Sequence, residues 1–140
     1  MKKTNLIYIF IIALLSISCS SDDDSSNTST NAINPPDWIQ GTWLQQNGNS
    51  TTQNGFKFTS DDFITISSNI QISWKDNVNN SNNVGANTDV NENVNENEYK
   101  IDITITSQTV SYYFEKRNDN VIEWTNDPLG DLAETLFIKQ

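Results

Sequence analysis

Hydrophobic and polar residues alternate along most of the chain after residue 37, in short runs separated by turn-forming residues. The clearest run is Ile70–Lys75, where Ile70, Ile72 and Trp74 fall on one face and polar residues on the other. A period of two is that of a β-strand, whose successive side chains point to opposite faces of a sheet. The pattern predicts strands with one buried and one solvated face, which is typical of antiparallel sheets.

The alternation predicts eight strands in hairpin order and no helix beyond a single turn at Gly130–Ala133. The predicted strands cover residues 41–46, 56–59, 63–67, 70–75, 99–106, 109–116, 121–125 and 134–139. Eight antiparallel strands in sequence favour an all-β fold, a small eight-stranded meander barrel that closes on itself and leaves no exposed edge. A two-sheet β-sandwich is the alternative, because the pattern alone does not separate the two architectures.

Residues 76–97 interrupt the strand pattern. The segment is rich in asparagine, and Val78, Val84 and Val90 recur at every sixth position. A long polar connection inside a compact domain is usually functional or disordered, and this composition offers little apolar surface to bury. The sequence therefore predicts a disordered insertion that the folded domain does not need.

The N-terminus carries a different pattern, with Lys2 and Lys3 before a nearly continuous apolar run from Leu6 to Leu15. This run is too short to cross a bilayer, which takes about 20 residues, and the features together predict a signal peptide at residues 1–18. The run ends in Leu-Ser-Ile-Ser-Cys, which resembles a bacterial lipobox with its leucine one position early. The resemblance implies acylation of Cys19, and a short anchor with an incidental cysteine is the alternative.

Residues 19–36 are predicted to form a flexible tether, since a stretch so rich in serine, aspartate and asparagine cannot build a core. Acyl chains on Cys19 would hold the tether to a lipid bilayer, because two or more chains anchor stably. The Ser-Asp-Asp-Asp that follows resembles the acidic surface-export signals of some Gram-negative lipoproteins. It implies an outer-membrane lipoprotein exposed at the cell surface, with a plain soluble spacer as the alternative.

The charge of the chain argues against several classes of partner. It has 18 acidic and 8 basic side chains, and loss of residues 1–18 would leave six basic ones and a net charge of −12. Nucleic acid is not an expected partner, because phosphates are bound by Lys and Arg, and neither is flat adsorption to anionic lipid. A solvated acidic surface explains the charge most simply, and cation binding is the alternative.

Candidate chemistry is sparse. The chain has no histidine and a single cysteine, which excludes Ser-His-Asp and Cys-His sites and histidine-ligated metals. Asp61 and Asp62 fall in a turn, and Glu115 and Glu123 fall on outward strand positions, so surface carboxylates explain them better than a glycosidase pair. Residues 87–91 alternate oxygen-bearing side chains, but glutamate follows where an EF-hand loop has glycine. We therefore predict no catalytic residue, no metal site and no cofactor.

Ordered-looking sequence begins around Gly41-Thr42-Trp43, where a glycine lies two residues before a tryptophan on the same strand face. The triplet is similar to the G-x-W signature that opens lipocalin-like barrels. With the meander pattern and the closing Glu-Thr-Leu-Phe-Ile-Lys, residues 37–140 resemble the lipocalin-like domain of bacterial, Gram-negative lipoproteins. The resemblance implies a barrel closed at one end by Gly41 and Trp43, with Lys139 packed on the tryptophan where the family has an arginine.

The resemblance also implies binding of a small hydrophobic molecule. The inward positions are rich in aromatic residues, and the candidates for lining a site are Trp74, Trp124, Tyr112, Phe114 and Ile103. So many rings predict a barrel that is mostly filled, with ligand space limited to a shallow pocket at its mouth or a narrow slot. The chain is expected to be a membrane-anchored carrier or sensor, or alternatively a ligand-free structural or protein-interaction module of the outer membrane. We do not expect an enzyme.

Overall fold

The computed structural model describes residues 28, 29, 32–128, 130 and 135–140. Cys19 and the predicted signal peptide lie outside these residues, as does most of the single turn predicted at 130–133. The chain is all-β, with 57% strand and one short helix in the described part. The elements are β1 Thr28–Ser29, β2 Gly41–Asn47, β3 Ser50–Phe58, β4 Phe63–Ser67, β5 Ile70–Ser73, α1 Trp74–Asn83, β6 Thr88–Val94, β7 Glu98–Ile105, β8 Gln108–Asn118, β9 Val121–Trp124 and β10 Leu136–Lys139.

The strands form one antiparallel sheet in the order β1-β6-β7-β8-β9-β10-β2-β3-β4-β5. The last strand of the chain, β10, pairs with β2, so the two ends of the predicted meander meet. Strands β5 and β6 follow each other along the chain but lie at opposite sides of the sheet. The molecule is therefore a curled half-barrel. The all-β, antiparallel prediction is confirmed, whereas a closed eight-stranded barrel is not.

All eight predicted strands have a counterpart, in β2–β5 and β7–β10. β4 has the predicted bounds, and β3 begins six residues earlier than predicted. The extension follows a bulge between Leu44 and Gln46, past which β2 and β3 continue to pair as far as Asn47 and Ser50. β5 ends at Ser73 because the Ser73 hydroxyl accepts a hydrogen bond from the Asp76 N–H, at 3.0 Å, and so caps a helix.

The predicted disorder of residues 76–97 is corrected by the structure, which places most of α1 and all of β6 there. β6 pairs with β7 over seven residues. Two of the three recurring valines are buried, Val78 at 1% and Val90 at 0% exposure, while Val84 is 83% exposed. The reasoning from composition failed because a short element joining an existing sheet needs only one or two buried side chains. Asparagine can occupy the solvated positions.

Helix α1 packs against both β4 and β6. The buried Val78 joins the hydrophobic core, and at the helix end the Thr88 hydroxyl donates to the Asn82 side-chain oxygen at 2.6 Å. A helix, rather than strand pairing, therefore connects the two sides of the opening between β5 and β6.

Four described residues of the predicted flexible tether lie against the domain: Thr28, Ser29, Ile33 and Asn34. In β1, Thr28 pairs with Glu92 and Ser29 with Asn91. Further along, Ile33 is only 3% exposed, and the Asn34 N–H donates to both Glu92 carboxylate oxygens at 3.0 Å. β1 thus extends the sheet, so the prediction of a tether that is flexible throughout is corrected. Polar composition alone does not reveal this pairing.

The hydrophobic core fills the concave face of the sheet. Its aromatic rings contact one another, as in the stacked Phe58–Phe63 pair with centroids 5.1 Å apart. The segment before β2 adds Ile39, which is 0% exposed. The strand residues buried in this core are Trp43, Phe56, Phe58, Phe63, Val90, Tyr99, Ile101, Ile103, Phe114, Ile122 and Phe137.

Candidate functional site

The residues proposed for barrel closure lie together at the β10–β2 junction. Lys139 lies opposite Trp43 in the β10–β2 register, and its Nζ is 5.0 Å from the Trp43 ring centroid. Gly41 has φ of +131°, and a Cβ there would lie 2.8 Å from Lys139 Cε. The missing side chain of Gly41 thus leaves the space through which Lys139 reaches the ring. Trp43 is 1% exposed, and its indole donates to the Ile39 carbonyl at 2.6 Å.

A cleft of about 230 Å³ opens further along β2, away from Gly41. We call it the mouth cleft. Aromatic rings and polar side chains both line it: Phe56, Tyr112, Trp124 and Phe137 on one hand, and Gln45, Asn54, Thr65, Asp127 and Thr135 on the other. The cleft is therefore apolar with a small number of hydrogen-bonding groups at its border.

The rings of the mouth cleft hold one another in place. Phe56 meets Trp124 edge to face, with centroids 5.4 Å apart and planes at 84°. Tyr112 stacks on Trp124 at 5.7 Å, and Phe56 lies 4.8 Å from Phe137. Such tilted and offset contacts are the preferred aromatic geometries. The walls of the cleft are formed before any ligand arrives.

Asn126 fixes the Trp124 indole. Its side-chain oxygen accepts from Trp124 Nε1 at 2.7 Å and from the Tyr113 N–H at 2.8 Å. Its side-chain nitrogen donates to the Ser111 carbonyl at 3.0 Å. One amide thus ties the turn after β9 to β8 and sets the orientation of a cleft ring. The sequence indicated only a turn at this position.

The structure brings together some of the predicted lining residues and separates others. Tyr112 and Trp124 line the mouth cleft. Trp74 lies beside it in the first turn of α1, 5.9 Å from the Tyr112 ring, and within the described residues its buried indole N–H has no partner in hydrogen-bonding geometry. Burial raises the pKa of Tyr112, which the nearby Trp74 partly offsets. Phe114 and Ile103 are each 1% exposed in the packed core, so they do not line the cleft.

A carboxylate missed by the sequence reasoning lies where the tether meets the sheet. Glu92 on β6 accepts from the Tyr99 hydroxyl at 2.5 Å and from the Asn34 N–H. Burial raises the pKa of Glu92, while these two hydrogen bonds lower it. Burial, and then the charge of Glu92, raise the pKa of Tyr99 well above its ordinary value. This arrangement fastens a segment to the domain, and Glu92 is not among the residues that line the described clefts.

The carboxylates weighed for catalysis are in surface contacts. Asp61 pairs with Lys75 at 2.5 Å, and the hydrogen bond from this lysine lowers its pKa. Glu115 and Glu123 both pair with Arg117. Within the described residues no group of three or more His, Cys, Asp or Glu side chains could hold a metal ion. Residues 88–91 of the 87–91 run lie within strand β6 and pair with β7, so the run does not form a chelating loop.

Comparison of the chain with protein-family models, with curated proteins and with solved structures finds no match. Within the described residues no helix is long and apolar enough to cross a membrane. The chain's own geometry is therefore the basis on which a function is proposed.

Proposed function

We propose that this chain is a membrane-tethered lipoprotein whose β-domain binds a small apolar, ring-bearing molecule in the mouth cleft. The cleft itself carries the proposal, because it combines preformed aromatic walls with a few polar groups at the border. Small-molecule sites generally have this composition, in which apolar side chains supply contact and a few polar ones fix orientation.

The size of the cleft limits the ligand. About 230 Å³ is below the roughly 300–1,000 Å³ of common ligand pockets. The core packs directly against the cleft, since the ring of Phe114, which is 1% exposed, lies 4.9 Å from that of Phe56. The ligand is therefore a molecule of one or two rings, or the ring-bearing end of a larger molecule whose remainder stays in solvent. A fatty acid enclosed in the barrel interior does not fit this packing.

Membrane attachment in this proposal rests on the sequence around Cys19. Thr28 is nine positions further on, and nine residues span at most about 30 Å when extended. Because β1 begins at Thr28, an acylated Cys19 would keep the domain within that distance of the bilayer.

An outer-membrane, surface-exposed location and kinship with lipocalin-like barrels belong to the same proposal. The kinship is supported by the cluster of Gly41, Trp43 and Lys139. The half-barrel differs from the closed barrel that the resemblance implies. Catalysis, cofactors and nucleic acid have no part in it.

A titration of intrinsic fluorescence tests the ligand site. Fatty acids, sterols and aromatic metabolites are added to the wild-type protein and to Trp124→Phe and Trp43→Phe variants. A small aromatic compound should give a saturable change that is lost in Trp124→Phe and kept in Trp43→Phe, because Trp43 is 1% exposed and does not line the cleft. The proposal fails if no compound saturates at micromolar concentration and a general apolar dye also does not bind.

The second candidate function is a ligand-free structural or interaction module. The packed concave face favours it, since eleven of the described side chains are less than 2% exposed there and around it. It predicts no small-molecule binding in the titration above. It requires a surface that recognises another macromolecule.

A further inference from the structure

Strand β5 is an edge of the sheet. It pairs with β4 on one side, and no strand of the described residues pairs with its other side. An edge strand presents unpaired backbone N–H and C=O groups that can pair with another chain. The opposite edge differs, because there β1 covers part of β6.

The turn between β4 and β5 identifies which backbone groups face outward. Ser68 and Asn69 have φ of 50° and 69°, as in a type I′ turn. In such a two-residue hairpin the flanking residues, Ser67 and Ile70, form a hydrogen-bonded pair, and bonded and non-bonded pairs then alternate. Gln71 therefore occupies a non-bonded position. Its N–H and C=O point away from β4, toward the free edge.

The side chains of β5 are apolar and exposed. Ile70 is 66% and Ile72 is 46% exposed, although the alternation predicted both as inward. Ile72 pairs with Thr65 and Thr65 with Phe56, so Ile72 does share the face of the core rings. It is uncovered because the sheet ends there. Edges are usually protected by short length, lysine, proline or a bulge. β5 is short, at four residues, but Ile-Gln-Ile-Ser has no lysine, proline or bulge.

The protein surface next to β5 is acidic. Asp62 accepts from the Ser73 hydroxyl at 2.7 Å, and Asp61 pairs with Lys75. Asp76, in the first turn of α1, is exposed. Three carboxylates and one lysine thus surround the end of the strand, in a chain of net charge −10. This charge opposes edge-to-edge pairing of two copies and favours a cationic partner.

We propose that β5 is a docking edge for an extended, cationic segment of a partner protein. The segment adds to the sheet through the backbone of Gln71, places apolar side chains on Ile70 and Ile72, and carries Lys or Arg near Asp62 and Asp76. Strand addition of this kind derives affinity from main-chain bonds and specificity from alternate side chains. The inference does not depend on a ligand in the mouth cleft.

The probe is a labelled heptapeptide of alternating valine and threonine with lysine at both ends, and a counterpart with glutamate ends is the charge control. Fluorescence anisotropy is measured with the full chain in lipid nanodiscs, and empty nanodiscs serve as the blank. The lysine peptide should bind saturably below 1 mM, about tenfold or more tightly than the glutamate peptide. Two further peptides carry N-methyl groups on alternate residues, one on the odd and one on the even positions. Only one of the two sets of N–H groups can face β5, so one methylated peptide should lose binding and the other should keep it. Equal affinity for both peptides would overturn the cationic assignment.

Variants locate the binding at the edge. Gln71→Pro removes the outward N–H without removing a bond to β4, and Ile72→Lys adds charge at the apolar face. Each should weaken binding at least tenfold. Val84→Lys is the matched control, since Val84 is an exposed valine outside the sheet, and it should change binding less than twofold. Trp124→Phe should also leave peptide binding unchanged, which separates this test from that of the mouth cleft.

Thermal unfolding checks that every variant is folded. If Gln71→Pro does not fold, Ile72→Lys and the methylated peptides still test whether the peptide binds at β5. Absence of peptide binding, or equal binding by wild type and Ile72→Lys, would overturn the proposal. Sedimentation at rising protein concentration tests whether a second copy of the chain, rather than a partner protein, pairs with β5. A dimer of the wild type that Ile72→Lys dissolves would show that a second copy covers the edge, and would likewise overturn it.

Discussion

The two places where the half-barrel could close are built differently. Between β10 and β2, strands far apart along the chain pair directly, and Trp43, Gly41 and Lys139 pack behind them. Between β5 and β6, strands adjacent in the meander are separated, and α1, which packs against β4 and β6, links the two sides. The first junction is held by backbone hydrogen bonds and a buried aromatic ring. The second depends on a few side chains of a polar segment, so substitutions there should act through single contacts.

The largest expected effect is that of replacing residues 76–97 with Asn-Gly. The sequence predicted that this segment is dispensable, but the change removes β6, most of α1 and the Glu92 contact with the tether. Losing the buried Val78 and Val90 alone costs about 3–6 kcal/mol, a large share of the stability of a small domain. We expect loss of cooperative thermal unfolding. A Gly-Ser insertion after the exposed Gly85 is the control and should leave the transition nearly unchanged.

The next effect compares two valines of the same segment. Val78→Ala removes two buried methyl groups and should lower the free energy of unfolding by about 1.5–2.5 kcal/mol. Val84→Ala, at a site that is 83% exposed, should change it by less than about 0.5 kcal/mol. Urea unfolding of both variants measures the difference. Equal effects would mean that α1 does not hold the opening through Val78.

A smaller effect is expected at the directly paired junction. Lys139 over the Trp43 ring is a cation–π contact, and such contacts are worth roughly 0.5–2 kcal/mol. A double-mutant cycle with Lys139→Met and Trp43→Phe should show a coupling energy in this range. Zero coupling would leave backbone pairing as the main source of closure. Lys57→Met, on β3, is a control that should not couple to Trp43→Phe.

The contrast between the junctions also explains which elements the sequence revealed. Alternation located eight strands because most of them carry apolar residues at a period of two, whether or not the sheet covers those residues. Ile70 and Ile72 of β5 follow the pattern and are exposed. The Gly41, Trp43 and Lys139 cluster came from a resemblance, and the structure places those residues together. α1 and β6 were missed because one or two valines secure each of them. The many asparagines between these valines leave too few apolar residues for a helix or strand periodicity to be recognised.

The candidate site was predictable in part for a related reason. Tyr112 and Trp124 were identified as inward aromatic residues and line the mouth cleft. Alternation cannot say how deep an inward residue lies, so Phe114 and Ile103 were grouped with them although the core covers both. Asn126 and Glu92 were missed because their partners Ser111 and Asn34 are 15 and 58 residues away in sequence. Only the folded chain brings them together.

The smallest expected effect is a pH dependence at the tether. Burial raises the pKa of Glu92 in the folded chain, so the folded state holds this proton more tightly than the unfolded state. The contribution of Glu92 to stability is then fully present below its unfolded pKa of about 4.3. It is lost as pH rises through the folded value. Asp61, Glu98 and Asp119 have lowered pKa values and act in the opposite sense.

Glu92→Gln isolates this effect from those of the other carboxylates. The glutamine oxygen can still accept from the Asn34 N–H and the Tyr99 hydroxyl, but the side chain no longer titrates. The melting temperature of wild type minus that of Glu92→Gln should be highest near pH 4 and should fall toward pH 7. A pH-independent difference between the two proteins would mean that Glu92 keeps its ordinary ionisation when the tether is docked.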